Sequence, residues 1–107
     1  MMKLHVKEIP PYKQAPADQR EKQLQNIRTN ALREVATKEI PNRLTGPVKI
    51  EITYHRGKGR ADSTNIIGGI ADALNKIAYN DDRQIKEVHY TENKKTTDEY
   101  WVSITML

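Results

Sequence analysis

Apolar and polar residues alternate along some stretches of this chain and recur at helical spacing along others. Val48, Ile50, Ile52 and Tyr54 alternate with Lys49, Glu51, Thr53 and His55, the period of a strand with one face in a core. Tyr100, Val102, Ile104 and Met106 repeat that period over Glu99 to Met106. Leu4 and Val6 share a face in a first strand over Lys3 to Ile9, which Pro10-Pro11 ends because proline donates nothing to a strand ladder. A further strand is expected over Gln84 to Thr91, joined to the last one by the polar run Glu92 to Asp98.

Leu24, Ile27, Ala31, Leu32 and Val35 recur at helical spacing between Ala17 and Lys38, which predicts a long first helix with that stripe in the core. Ile66, Ile67, Ile70, Ala73, Leu74 and Ile77 do the same for a second helix, capped by Asp62, Ser63 or Thr64 and running to about Ala78. Asn65, Gly68, Gly69, Asp72 and Lys76 fall on its opposite side, pointing together toward solvent or a ligand. Pro41, Gly46-Pro47 and Tyr79 to Asp82 read as turns, and the glycines of His55 to Arg60 as a flexible basic loop. The order β-α-β-α-β-β predicts an α+β fold, a two-layer sandwich with a mixed sheet and the helices packed on one face.

A chain of 107 residues has room for one domain and a modest core, so residues 1–107 are taken as a single unit. Phe is absent, and the core is expected to be aliphatic. The absence of cysteine excludes disulfides, thiolate zinc sites and cysteine nucleophiles, and fits a reducing compartment. Met1 to His5 lacks the apolar segment of a signal peptide and no run is long enough to span a membrane, so the expected location is the cytoplasm. The net charge of +4 suits a polyanionic partner, and its distribution sharpens this: Arg56, Lys58 and Arg60 lie just ahead of an Asp-rich stretch whose carboxylates would otherwise repel phosphate.

Asp62, Asp72, Asp81 and Asp82 bracket the second helix at its start, on its polar side and in the turn beyond. Converging carboxylates are what Mg²⁺ needs, a hard ion that takes a few oxygen ligands and keeps several waters. Such an ion orients a phosphodiester, activates water and stabilises the leaving oxygen. The same residues also suit plain structural roles, Asp62 to Thr64 as a helix cap and Asp81-Asp82 as a turn. His5, His55 and His89 lack metal-ligand spacing and read as ordinary surface residues, as do the charges of the first helix. Trp101 lies opposite the buried face of the last strand and suggests a second contact surface, either a dimer interface or a stacking platform for bases.

The segment Asp62-Ser63-Thr64-Asn65-Ile66-Ile67-Gly68-Gly69-Ile70-Ala71-Asp72-Ala73-Leu74, followed by Asp81-Asp82-Arg83-Gln84, resembles the D-x-D-N-x-x-K-x-x-x-D-x-L and D-D-x-Q pattern of the RusA-type Holliday junction resolvases. Asp62, Asn65, Asp72, Leu74, Asp81, Asp82 and Gln84 fall in register, and the likeness extends over about residues 47 to 91. The resemblance implies a homodimeric, Mg²⁺-dependent endonuclease of four-way DNA junctions. It makes Asp62 and Asp82 the foremost metal ligands and Asp81 and Asp72 supporting groups, with Asp62, Asp72 and Asp82 as the catalytic set. Arg56, Lys58, Arg60, Asn65, Lys76 and Arg83 are the expected DNA contacts.

Two positions depart from the pattern. Thr64 stands where the family has Asp, removing a full charge and lowering metal affinity unless Asp81 or Asp72 compensates. Gly68 stands where the family has its active-site Lys. Lys76, roughly 12 Å further along a helix, is a poor substitute, which leaves Lys58, Arg60 or Arg83 to supply the cation. The competing reading is therefore a DNA-binding module that kept the fold while its active site weakened. A third is a structural protein whose acids only cap and turn. The glycine pair, costing a helix roughly 1 kcal/mol each relative to Ala, suggests a bare helix surface for close approach by nucleic acid, substrate or a partner helix.

Overall fold

The computed structural model describes residues 1–107. Its elements follow the expected order: β1 (Met2–Val6), α1 (Gln19–Glu39), β2 (Val48–Arg56), α2 (Ser63–Leu74), β3 (Ile85–Lys94) and β4 (Glu99–Met106), with a 3-10 turn at Asp82–Gln84 before β3. The four strands form one sheet in the order β1-β4-β2-β3. β4 runs antiparallel to both β1 and β2, while β3 pairs parallel with β2. The sheet is thus mixed, and the parallel pair is the one whose connection is long enough to include a helix, α2.

Alternation places Leu4, Val6, Val48, Ile50, Ile52, Tyr54, Tyr100, Val102 and Ile104 on one face of the sheet, against Leu32 and Ala36 of α1 and Ile66, Ile70, Ala73 and Leu74 of α2. The other face carries Lys3, His5, Glu51, Thr53, Trp101 and Ser103, all at least partly exposed, and no helix covers it. The core is not purely aliphatic. Tyr54, Tyr79 and Tyr100 are fully buried and fill the volume that Phe would otherwise take. Two of their hydroxyls find acceptors, Tyr54 on Asp98 and Tyr79 on the Ala71 carbonyl at 2.7 Å, which lowers the penalty of burying them.

Several boundaries and faces differ from the sequence expectation. β1 stops at Val6 rather than Ile9, because its partner β4 pairs only from Tyr100 onward, opposite Val6. β3 continues to Lys94, since its parallel register with β2 holds until Arg56 faces Lys94. Of the expected α1 stripe Leu32 is buried and Ala31 and Val35 pack partly buried against the core, with Ala36 added, but Leu24 and Ile27 are exposed: only the C-terminal half of the helix lies fully over the sheet.

α2 ends at Leu74, short of Ala78. Lys76 adopts a left-handed backbone (φ 69°), and its N–H bonds back to the Tyr79 carbonyl at 2.8 Å, closing a tight reversal. Arg33 of α1 donates to the Ala73 carbonyl at 2.7 Å and to the Asn75 carbonyl at 3.3 Å, placing a cation at the negative end of the α2 dipole. Arg33 is therefore a helix cap rather than part of a solvated face. Lys76 lies beyond the helix, off the strip it was expected to share with Asn65 and Asp72.

Candidate functional site

The exposed side of α2 organises the site. Asp62 is the N-cap, its side chain accepting the Asn65 N–H at 2.9 Å. Asp72 projects from the third turn, about 15 Å further along a helix rising 1.5 Å per residue. Because β2 and β3 are parallel with Val48 opposite Ile85, α2 returns the chain from the C-terminal end of β2 to its N-terminal end. Asp81 and Asp82, immediately before β3, therefore stand at the Asp72 end and not with Asp62. The Tyr79 hydroxyl marks that end: burial raises its pKa, and the charges of both Asp82 and Asp72 push it further up. One chain thus offers Asp62 at one end of the strip and Asp72 with Asp82 at the other, and no three acidic or histidine side chains stand together as a metal-ligand group.

The D-D-x-Q segment has a structural role in addition to any chemical one. Asp81 caps the 3-10 turn through the Arg83 N–H at 2.8 Å and also pairs with the Arg83 guanidinium at 3.1 Å. The backbone and side chain of Arg83 hold its carboxyl below the usual range. Gln84 accepts the N–H groups of Asn80 and Asp81 at 2.8 and 3.0 Å, and donates to the carbonyls of Leu44 and Gly46 at 2.8 and 3.0 Å. This single side chain ties the turn to the segment entering β2. Asp82, half-exposed, belongs to no ion pair and is the carboxylate left available for a ligand.

The basic residues divide into structural and available ones. Arg56 is at the end of β2 rather than in the loop, and its guanidinium makes a two-pronged pair with Glu92 of β3 at 2.7 and 2.8 Å while donating to the Gly59 carbonyl at 2.8 Å. These bonds hold the β2–β3 end and shape the loop. Lys58 and Arg60 are exposed. Their loop is anchored by Asp98, which accepts the N–H groups of Lys58 and Gly59 and the Tyr54 hydroxyl. Burial opposes the Asp98 charge, yet these donors hold its carboxyl below the usual range. Lys58, Arg60, Tyr12 and Arg28 line a groove of about 440 Å³ that reaches Ala61, next to Asp62. Arg28 lies 5.7 Å from the Tyr12 ring centroid. Nothing in the periodicity of α1 distinguished Arg28 from its charged neighbours; the fold selects it.

The glycine pair is covered by the chain itself. A Cβ on Gly69 would meet the Pro11 carbonyl group and the Tyr12 Cα at 2.5 Å, so Gly69 is buried against backbone and not presented to solvent. A Cβ on Gly68 would meet the Lys13 stem at 3.3 Å. Lys13 donates its N–H to the Asn65 carbonyl at 2.9 Å, and its ammonium lies 3.6 Å from Asp72. Lys13 sits in a segment without periodicity, where no sequence signal tied it to α2.

On the uncovered sheet face His5 stacks on Trp101 (4.6 Å, 6°) and His55 meets the same ring edge-on (4.7 Å, 68°). Glu99 bridges them, 2.8 Å from His5 and 3.6 Å from His55. These histidines are therefore a cluster built by the β1-β4-β2 order, whereas His89 is exposed beside Glu87.

The structure is thus a small mixed-sheet α+β domain with acids along one helix, beside a groove lined by Lys58, Arg60 and Arg28. The chain belongs to the RusA endodeoxyribonuclease family, whose model matches residues 12–106, and that family comprises Holliday junction resolvase-type endonucleases. A comparison with curated proteins finds no match. No helix is long and apolar enough to cross a membrane.

Proposed function

We propose that the protein is a homodimeric, Mg²⁺-dependent endonuclease that hydrolyses phosphodiesters of four-way DNA junctions in the cytoplasm. The observation that carries this reading is the exposed Asp62–Asp72–Asp82 strip, in a chain matching the family over nearly its whole length. Asp82 and Asp72, at one end of the strip, and Asp62, at the other, would hold metal, Asp81 would support them, and Lys58, Arg60 and Arg28 would bind phosphate along the groove. Asn65 and Arg83 complete the DNA-facing surface, Arg83 with its side chain 88% exposed although paired to Asp81.

The ligand type suits the ion, carboxylate oxygens at an exposed surface, but one chain does not gather three of them at one place. Bound there, Mg²⁺ supplies Lewis-acid stabilisation of the phosphoryl oxygens and a more acidic water. Lys58, Arg60 and Arg28 orient the backbone along a groove that Glu21 also lines. Water adds to phosphorus as the bond to the 3′-oxygen breaks, leaving 5′-phosphate and 3′-hydroxyl ends. A homodimer would present two such strips to the opposed strands of a junction.

Binding and cutting of a synthetic four-way junction in Mg²⁺ or Mn²⁺ test the proposal. Asp82→Asn, which removes charge at nearly constant size, is expected to abolish cutting while junction binding persists. Binding by the wild-type chain without cutting in either metal would instead support the DNA-binding module. A chain that neither binds nor cuts refutes both.

A further inference from the structure

We propose that Lys13 is the substrate-contacting cation of the α2 strip, delivered from the segment between β1 and α1 to the helix position that Gly68 leaves bare. The inference rests on the endonuclease reading and deepens it. Pro10 and Pro11 are buried and fix the backbone of this strap, which crosses α2 against Gly69. The Lys13 N–H is fixed to the Asn65 carbonyl at 2.9 Å, its stem lies over Gly68, and its ammonium reaches to within 3.6 Å of Asp72. The cation therefore stands on the strip beside Asp72.

Stability does not account for this arrangement. The Lys13 and Asp72 side chains are 68% and 46% exposed, and ion pairs that open to solvent contribute little. A glycine inside a helix is a real loss by comparison. Backbone contact explains Gly69, but at Gly68 the three nearest atoms all belong to the Lys13 stem. An ammonium with a fixed base, an exposed tip and a carboxylate to aim it is suited to a phosphodiester oxygen arriving at the strip. Position 68 is also where the family pattern has its lysine, so the same spot on the helix receives its cation from another part of the chain.

Three variants test this in single-turnover junction cleavage. Lys13→Met keeps the stem over Gly68 and removes only the charge. It is expected to slow cutting about 100-fold, the scale of losing one transition-state donor. Lys13→Ala should be equally slow, and Lys13→Ala with Gly68→Lys should recover to within tenfold of wild type by rebuilding the cation from the helix. Melting curves establish that each variant is folded. Less than a tenfold loss in Lys13→Met, or no recovery in the folded double variant, overturns the assignment while leaving the nuclease reading intact.

If the wild-type chain binds junctions without cutting, the nuclease reading fails and Lys13 is judged by metal-free binding. The slope of log affinity against log salt should then shrink by about 0.9 in Lys13→Met, one phosphate contact fewer, and an unchanged slope overturns the proposal. A wild-type chain with no junction affinity overturns both.

Discussion

Adding one methyl group at each of two adjacent glycines should move stability in opposite directions. At Gly69 the new Cβ would lie 2.5 Å from the Pro11 carbonyl carbon and oxygen and from the Tyr12 Cα, all backbone atoms of a buried strap. Relief requires the strap to lift by about 1 Å, and overpacking of this kind costs roughly 1–3 kcal/mol. The lift also strains the Lys13 N–H bond to Asn65, on the order of 1 kcal/mol. Against this stands the roughly 1 kcal/mol that Ala contributes over Gly in a helix. The net expectation for Gly69→Ala is a loss of about 1–3 kcal/mol, or a melting temperature lower by roughly 5–15 °C in a domain of this size. At Gly68 the atoms nearest the Cβ would be those of the Lys13 stem, from 3.3 Å, a flexible chain that yields by tenths of an ångström. Gly68→Ala should therefore melt at or a few degrees above wild type, having gained up to about 1 kcal/mol of helix propensity. Circular dichroism melts and urea titrations of both variants check the pair. A Gly69→Ala protein as stable as wild type would show that the strap does not bear on α2 as described.

Gln84→Ala removes two acceptor and two donor bonds that tie the 3-10 turn to Leu44 and Gly46, and should cost about 2 kcal/mol in urea unfolding; a change below about 0.5 kcal/mol would contradict that role. The depressed Asp98 carboxyl contributes stability that is fully present above the ordinary carboxylate pKa of about 3.9 and is lost as pH falls through its lower folded value. Asp98→Asn should thus flatten the acid limb of the stability profile below about pH 4, with the Lys58 and Gly59 amide resonances losing their low-pH titration. Parallel acid limbs in the two proteins would rule out Asp98 as the source.

Short-range periodicity carried much of the fold. The alternation of Val48 to Tyr54 and of Tyr100 to Met106 specified β2, β4 and the face each buries, and the stripe from Ile66 to Leu74 specified α2. The register of Asp62, Asp72, Asp82 and Gln84 pointed to the family that the match over residues 12–106 shows. These features are local, repeating every two or 3.6 residues, so the chain displays them without reference to distant segments. The rest depended on contacts between residues far apart in sequence. Strand order, the burial of Gly69 under Pro11, the cap that Arg33 places on α2 and the pairing of Arg56 with Glu92 each join separate elements, and no period encodes them. The acids illustrate both sides: sequence placed them at the start, on the side and beyond the end of one helix, and only the structure shows that Asp81 is engaged by Arg83 and Asp72 by Lys13. Lys13 illustrates the converse, a residue silent in the sequence that the tertiary structure lays beside Asp72.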